Sequence, residues 1–186
     1  DIEIFKEITY DFNILRQRFK EMAYLNRGLE ICFTSDWHMD LWPNNRFTFY
    51  FEGGISSFVR NLNQKRNVIH DEPIYAERQI DGNIVEVALQ YNDSMVDSLN
   101  SFANCIGTID GGTHETGFKS ALTRVMNDYA RKQTLIKQGE TNLTGEDTRE
   151  GLSAVISVKL AEPQFEGQTK SKLGNPEIRN QTDSVV

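Results

Sequence analysis

A chain of 186 residues in which 38% of side chains are hydrophobic is long enough for one ordinary domain with a real core, burying roughly 70% of its extended surface. With 27 acidic against 20 basic residues the formal charge is −7, which argues against a strongly basic nucleic-acid module, although an acidic domain can still carry a local basic face. The apolar runs are far too short to span a bilayer, and a start at Asp1 with neither Met nor a signal peptide leads to the expectation of a piece cut from a longer protein. Cys32 and Cys105 lie in apolar, strand-like runs without C-x-x-C spacing, and are expected to be reduced, buried and inert.

In chain order, Asp11 is placed to cap a helix running to about Asn26, with Phe12, Leu15, Phe19, Met22 and Ala23 on one stripe and Gly28 at its end. Leu29 to Thr34 and Arg46 to Phe51 read as strands. Were the loop between them extended, Asp36, His38 and Asp40 would share a side and could hold a metal; a hairpin flank with surface polar residues explains the pattern without a ligand set, and no metal is expected. After Gly53-Gly54, Ile55, Phe58, Val59 and Leu62 recur at helical spacing. Tyr75 to Ile80 and Asn83 to Tyr91 flank Asp81-Gly82, the favoured chemistry for a tight hairpin. Ser98 to Thr108 reads as one further strand, leading into Asp110-Gly111-Gly112.

The longest helix follows, with Thr113 as its cap and Phe118, Ala121, Leu122, Val125, Met126 and Tyr129 as its buried stripe. Away from that stripe it carries Lys119, Arg124 and Arg131, a face that is either solvated or turned toward phosphates. Lys132 to Asn142 is a polar loop, Thr144 caps a short helix, and Leu152 to Leu160 returns as a strand. Asn175-Pro176 is a favourable helix start, so Gln164 to Asn175 is a loop between two elements. Gly167 removes a Cβ there, and an extended backbone after it would point Gln168 and Lys170 to one side and Thr169 to the other. An amide and a compact positive charge at i and i+2 suit a terminal phosphate. The loop is not a Walker A motif, because Thr169 precedes the lysine where that motif needs Gly; a solvated loop lysine is the plain alternative. This order of elements gives an α+β domain with helices laid against one mixed sheet.

Several blocks carry a resemblance: Glu52-Gly53-Gly54-Ile55; Val85 to Gln90; Gly111-Gly112-Thr113-His114 with Gly117-Phe118-Lys119; Gly145 to Leu152 followed by Ala154 to Lys159; and Gln168-Thr169-Lys170. In this order and spacing the chain resembles the transducer domain of the DNA gyrase B family, over nearly its whole length. The resemblance implies a ribosomal protein S5 domain 2-like fold, a mixed sheet with helices packed on one face and a left-handed βαβ crossover, an exception to the usual hand. It implies a transducer domain over 1–174, with the Gln-Thr-Lys loop at 164–174, and 175–186 as the start of a helix leading to a following domain. An ATP-binding domain precedes such a domain, and one that joins in DNA cleavage follows it.

The implied role is to couple ATP binding and hydrolysis in the neighbouring domain to DNA gate opening and strand passage in a type II topoisomerase. Gln168 and Lys170 would reach the γ-phosphate, with Lys170 catalytic, and Lys119, Arg124 and Arg131 would face transported DNA. ATP with Mg2+ would be held mostly by the domain outside this chain, so the chain alone is expected to bind no cofactor and to be inactive. The implied partners are DNA, the gyrase A subunit in an A2B2 assembly and a second B subunit joined by ATP-driven dimerisation, in the bacterial cytoplasm and with no membrane contact. His114 reads as structural, in a turn and helix start. Two features depart from the family pattern: the loop from Asp36 to Arg46 with its two tryptophans, and Ile109, where a basic residue is common. The alternatives are the topoisomerase IV B subunit, a decatenase, against which Leu173-Gly174-Asn175 leans, and a stand-alone nucleic-acid-binding module of the S5-like fold, against which the net acidity and the Gln-Thr-Lys loop count.

Overall fold

Residues 3, 4, 6 and 9–186 are described by the structure, a computed structural model. The stretch expected as one domain divides at Gly54, giving two units, Asp1–Gly54 and Ile55–Val186. In the first, α1 (Phe12–Leu25) starts where Asp11 accepts a hydrogen bond from the Ile14 amide at 2.9 Å, as its capping role predicts. Its apolar stripe lies on a two-stranded antiparallel sheet, β1 (Ile31–Thr34) with β2 (Arg46–Phe49), through the rings of Phe12, Phe19, Phe33 and Phe47. The loop between these strands winds into 3-10 turns over Asp36–Leu41, so Asp36, His38 and Asp40 are not aligned on one side. Cys32 departs from expectation: β1 alternates, and Cys32 falls on its exposed face, while Cys105 is half-buried; neither is in a disulfide.

The second unit begins with α2 (Ile55–Leu62) and is built on a five-stranded sheet. Its strands are β3 (Ile74–Ile80), β4 (Asn83–Tyr91), β5 (Ser98–Ala103), β6 (Ile106–Gly107) and β7 (Leu152–Lys159), in the order β3-β4-β7-β5-β6. Only β5 and β7 pair in parallel, so the sheet is mixed, and α3 (Thr113–Lys132) lies in the connection between them. Asp81 and Gly82, at φ +51° and +83°, make the expected two-residue turn. The expected single strand from Ser98 to Thr108 is instead a hairpin, because Asn104 and Cys105, at φ +46° and +64°, form a second such turn. The side-chain amide of Asn104 holds that position by closing on both backbone groups of Leu160 at 2.7 and 2.9 Å.

One face of the sheet carries Val85, Val87 and Leu89 of β4, Leu152, Ala154, Ile156 and Val158 of β7, and Ala103 of β5, packed with Phe118 and Leu122 of α3 and Ile178 of α4 (Pro176–Val185). The helices are not confined to that face. Residues of the opposite parity on β4 and β7, Ala88, Gln90, Ser153 and Val155, are buried too, and α2 meets them: Asn63, just past its end, bonds Gln90 at 2.9 Å and Ser153 at 2.7 Å. Phe58 of α2 meets Phe102 of β5 on the same side. With both faces covered, β4 and β7 bury residues of both parities, and the charges they carry, Glu86 and Lys159, pair with each other at 3.1 Å.

On α3, Phe118, Ala121 and Leu122 are buried as expected, but Val125 and Tyr129 are exposed, and Asn127 and Ala130 are buried instead. Gly117 brings α3 against α4 without a side chain between them: a Cβ there would stand 2.3 Å from the Arg179 carbonyl oxygen. Thr113 is not the cap. Gly112 occupies that position, and the Thr113 hydroxyl is buried without a partner.

His114 is fully buried, in keeping with a structural role. Thr108 Oγ1 lies 2.9 Å from the Ser101 carbonyl and 3.0 Å from His114 Nε2, while Nδ1 is buried without a partner. Burial pushes the imidazole pKa down to about 4, against a smaller upward pull from Glu115. The folded pKa lies below the unfolded value of about 6.5, so as pH falls through that window the unfolded chain takes a proton that the folded chain refuses. Stability attributable to His114 is complete above about pH 6.5 and falls by about 1.4 kcal/mol per pH unit toward pH 4. Melting curves from pH 7 to 4 should therefore show a steeper acid loss in the native chain than in His114→Gln; parallel curves would contradict the assignment.

Candidate functional site

The Gln164 to Asn175 segment is a short hairpin. Its strands are β8 (Phe165–Glu166) and β9 (Lys172–Leu173), paired Phe165 to Leu173 and Glu166 to Lys172. The base is tied tightly: the Gly174 amide donates to the Gln164 carbonyl, and the Gln164 amide to Asn175 Oδ1, both at 2.7 Å. Asn175 Nδ2 donates to the Glu162 carbonyl at 3.2 Å and to Glu177 Oε1 at 2.8 Å, and the bond from Asn175 holds the Glu177 carboxyl below the usual carboxylate range. The buried Asn175 side chain therefore closes the hairpin and makes no cap bond to the helix amides. Pro176 takes the first helical position, as the sequence predicts.

The tip is a turn, not the extended segment expected. Gly167 and Lys170 sit at φ +74° and +55°, and the Lys170 amide reaches back to the Gly167 carbonyl at 3.4 Å. The alternation argument for Gln168 and Lys170 therefore fails in its geometry. What the turn does provide is exposure: Gln168, Thr169 and Lys170 all face solvent. The Lys170 ammonium lies 5.9 Å from the centre of the Phe165 ring, a cation–π contact that biases the side chain without burying its charge. Chemically, an amide and an ammonium exposed above a hydrogen-bonded base are groups able to donate to an anion.

The free edge of β9 is not free in space. Ser171 O accepts from the Asp110 amide at 2.9 Å, the Leu173 amide donates to Gly111 O at 3.2 Å, and Gly112 bridges Leu173 in parallel. A Cβ on Gly112, whose φ is +144°, would stand 2.4 Å from the Leu173 carbonyl oxygen, so only glycine allows the two backbones to approach. The side chain of Leu173 meanwhile has no exposed surface and joins the core with Phe118 and Ile178. Asp110-Gly111-Gly112 is thus more than the turn before a helix that the sequence predicts: it contacts the Gln-Thr-Lys hairpin, and the doubled glycine is the one sequence signal of that close backbone approach.

The three helix cations are engaged locally. Lys119 pairs with Glu115 at 2.5 Å, Arg124 with Asp183 at 2.8 Å, and Arg131 holds Asn142 and the carbonyls of Lys137 and Glu140. At 3.6 residues per turn Arg124 and Arg131 lie within about 20° of each other around α3, whereas Lys119 is about 120–140° away, so the structure brings two of the three onto one face. Among the described residues no three His, Cys, Asp or Glu side chains come together as a metal site.

The DNA gyrase B family model matches residues 54–186, starting at the division between the two units. The DNA gyrase B subunit of Clostridium acetobutylicum is 54% identical over the whole chain, which covers 29% of that relative's length, so the chain spans under a third of it. The crystal structure of the 43K ATPase domain of Thermus thermophilus gyrase B in complex with an aminocoumarin superposes with a TM-score of 0.83 at 37% identity, covering 100% of this chain and 49% of that one. The topoisomerase IV ATP-binding domain of Francisella tularensis in complex with a small-molecule inhibitor follows at a TM-score of 0.77 and 26% identity, covering 99% and 48%. By the family match and the full-length identity together, the chain belongs to the DNA gyrase B family.

Proposed function

We propose that the chain is the transducer portion of an ATP-dependent type II topoisomerase, a gyrase B subunit, and that the hairpin tip at Gln168–Lys170 is its nucleotide-sensing part. The observation that carries this is the hairpin itself: an exposed amide and ammonium held out from a base that is bonded to the core, in a chain whose relatives include an ATPase domain and an ATP-binding domain. The parallel β5–α3–β7 connection and the mixed sheet are compatible with an S5 domain 2-like fold, whose left-handed crossover stays part of this proposal. In this reading the transducer covers 1–174, with 175–186 leading on toward a following domain; the family match starts at residue 54, where the two units divide. The higher identity to gyrase B than to topoisomerase IV favours the gyrase reading.

In this reading ATP and Mg2+ are held chiefly by the preceding domain, and the hairpin supplies the missing side. The Lys170 ammonium offsets charge that develops on the terminal phosphate, and Gln168 orients it with a neutral donor. The chain acts together with DNA, the gyrase A subunit in an A2B2 assembly and a second B subunit, in the bacterial cytoplasm. Arg124 and Arg131, with Lys119 further round the helix, are the cations proposed to face transported DNA.

Lys170→Ala in the intact subunit should lower ATP turnover by about 10²- to 10³-fold while nucleotide affinity changes little, because the charge matters most where the transition state gains it. Gln168→Ala should do less, and melting of the 186-residue chain should hardly move in either, since the tip is exposed. Full turnover by Lys170→Ala at saturating ATP would remove the catalytic role.

For the helix cations, Lys119→Ala, Arg124→Ala and Arg131→Ala combined should lower DNA-stimulated turnover and flatten its salt dependence, by about one unit of log–log slope for each phosphate no longer neutralised. Unchanged stimulation and slope would leave these side chains with only the local partners described above.

A further inference from the structure

We propose that Gly112 and the Asp110 amide are positioning elements for the Gln168–Lys170 tip, so that the turn before α3 sets where the Lys170 ammonium reaches. The inference rests on the reading of Lys170 as the phosphate-facing group. Its observations are separate: they concern what holds the tip in place.

The tip spans Gly167 to Ser171 and has few constraints of its own. Lys170 sits in the left-handed region, at φ +55°, which a residue with a Cβ adopts only when its surroundings hold it there. Behind it the Lys170 amide bonds Gly167 O at 3.4 Å; immediately ahead, Ser171 O is held by the Asp110 amide at 2.9 Å. The second bond originates outside the hairpin, in the turn that starts α3. Two residues further on, Leu173 N donates to Gly111 O, and Gly112 lies so close to Leu173 that its absent Cβ would collide with both the carbonyl oxygen at 2.4 Å and the amide nitrogen at 2.7 Å. β9 is thus fixed on one edge by β8 and on the other by Asp110–Gly112.

The turn is itself anchored. Gly111 N bonds Thr108 O at 2.9 Å, the Thr108 hydroxyl bonds the buried His114, and the Thr116 amide bonds Gly112 O at the start of α3. A displacement of the α3 start therefore moves Ser171, and through it the strained residue that carries the ammonium. The reverse also holds: a phosphate that draws Lys170 pulls on the first turn of α3.

The test is a mutant cycle in the intact subunit. Gly112→Ala pushes Leu173 away and should lower kcat for ATP hydrolysis at least 10-fold with little change in KM. Combined with Lys170→Ala it should be no worse than Lys170→Ala alone, since the lysine it positions is already gone. Gly111→Ala is the control: at φ +74° it carries the same backbone penalty for a Cβ, but that Cβ would meet the flexible Glu115 carboxylate, at 2.9 Å, and not the backbone of β9. It should keep a kcat well above that of Gly112→Ala. If Gly112→Ala does not fold, Asn175→Ala releases the base of the hairpin, where Gln164 enters β8, and should show the same loss of kcat and the same non-additivity.

Additive losses in the cycle, equal losses in Gly111→Ala and Gly112→Ala, or an undiminished kcat in Gly112→Ala and Asn175→Ala while Lys170→Ala is impaired would each overturn the positioning role and leave the reading of Lys170 intact. An unimpaired Lys170→Ala would instead remove that reading.

Discussion

Leu173 is where the core and the exposed tip become one structure. Its side chain is fully buried with Phe118 and Ile178, while its backbone pairs with Phe165 on one side and with Gly111 and Gly112 on the other. A hairpin with only two residues per strand would be marginal alone, because so few bonds must offset the ordering of the loop they close. Burying one leucine adds on the order of 2 kcal/mol and ties the hairpin's order to that of the sheet. The exposed Gln168–Lys170 turn can therefore stay polar and fully solvated without losing its position.

The second constraint is that β4 and β7 are buried on both faces. Once α3 and α4 cover one side and α2 the other, a buried polar group needs a partner, and Gln90, Asn92 and Ser153 bond one another or Asn63. Asn63 lies just beyond the last turn of α2, so this network fixes where that helix ends on the sheet. The sheet is thus held between a hydrocarbon layer and a layer partly specified by hydrogen bonds. A slip of β7 by one residue would exchange the two sets and leave Ser153 and Ser157 facing Phe118.

Local chemistry that acts within a few residues was legible in the sequence. The Asp11 cap, the Asp81-Gly82 turn, the apolar stripe of α2, Pro176 at a helix start and the run from Leu152 each announce themselves through a turn, a cap or a period, and the structure has them where expected. Two of the misses share a cause: the partner lay far along the chain. Asn104 sits at a tight turn because Leu160 accepts from and donates to its amide, and Asn175 gives up its cap because Gln164 and Glu162 need it. Tyr129 satisfies the helical period of α3 yet is exposed, because the period says which side a residue is on and not where the covering layer stops. Alternation failed at Gln168–Lys170 because it presupposes an extended chain, which Gly167 and Lys170 at positive φ do not give. The covered second face of the sheet was readable after all, since unbroken Ala154-Val155-Ile156 is the pattern of a strand without a solvent side.

The close approach of Gly112 to Leu173 and that of Gly117 to Arg179 lie five residues apart on the same stretch of chain, and they bring two different elements, β9 and α4, onto the beginning of α3. Between β9 and α4 stands Asn175, whose side chain bonds the hairpin at Gln164 and the helix at Glu177. Hairpin, α3 and α4 are therefore joined pairwise, by close backbone contact at two junctions and by the buried Asn175 amide at the third. Packed elements of this kind move together or not at all, because their interiors lack the free volume to deform gradually. Arg78 and Asn83 extend the same body to the β3–β4 hairpin through Ser184 and Gln181 of α4. A force applied at the exposed tip would thus be shared by the hairpin, α3, α4 and the β3–β4 turn as one packed body. That is the mechanical property a coupling element requires, and it follows from two glycines and one asparagine.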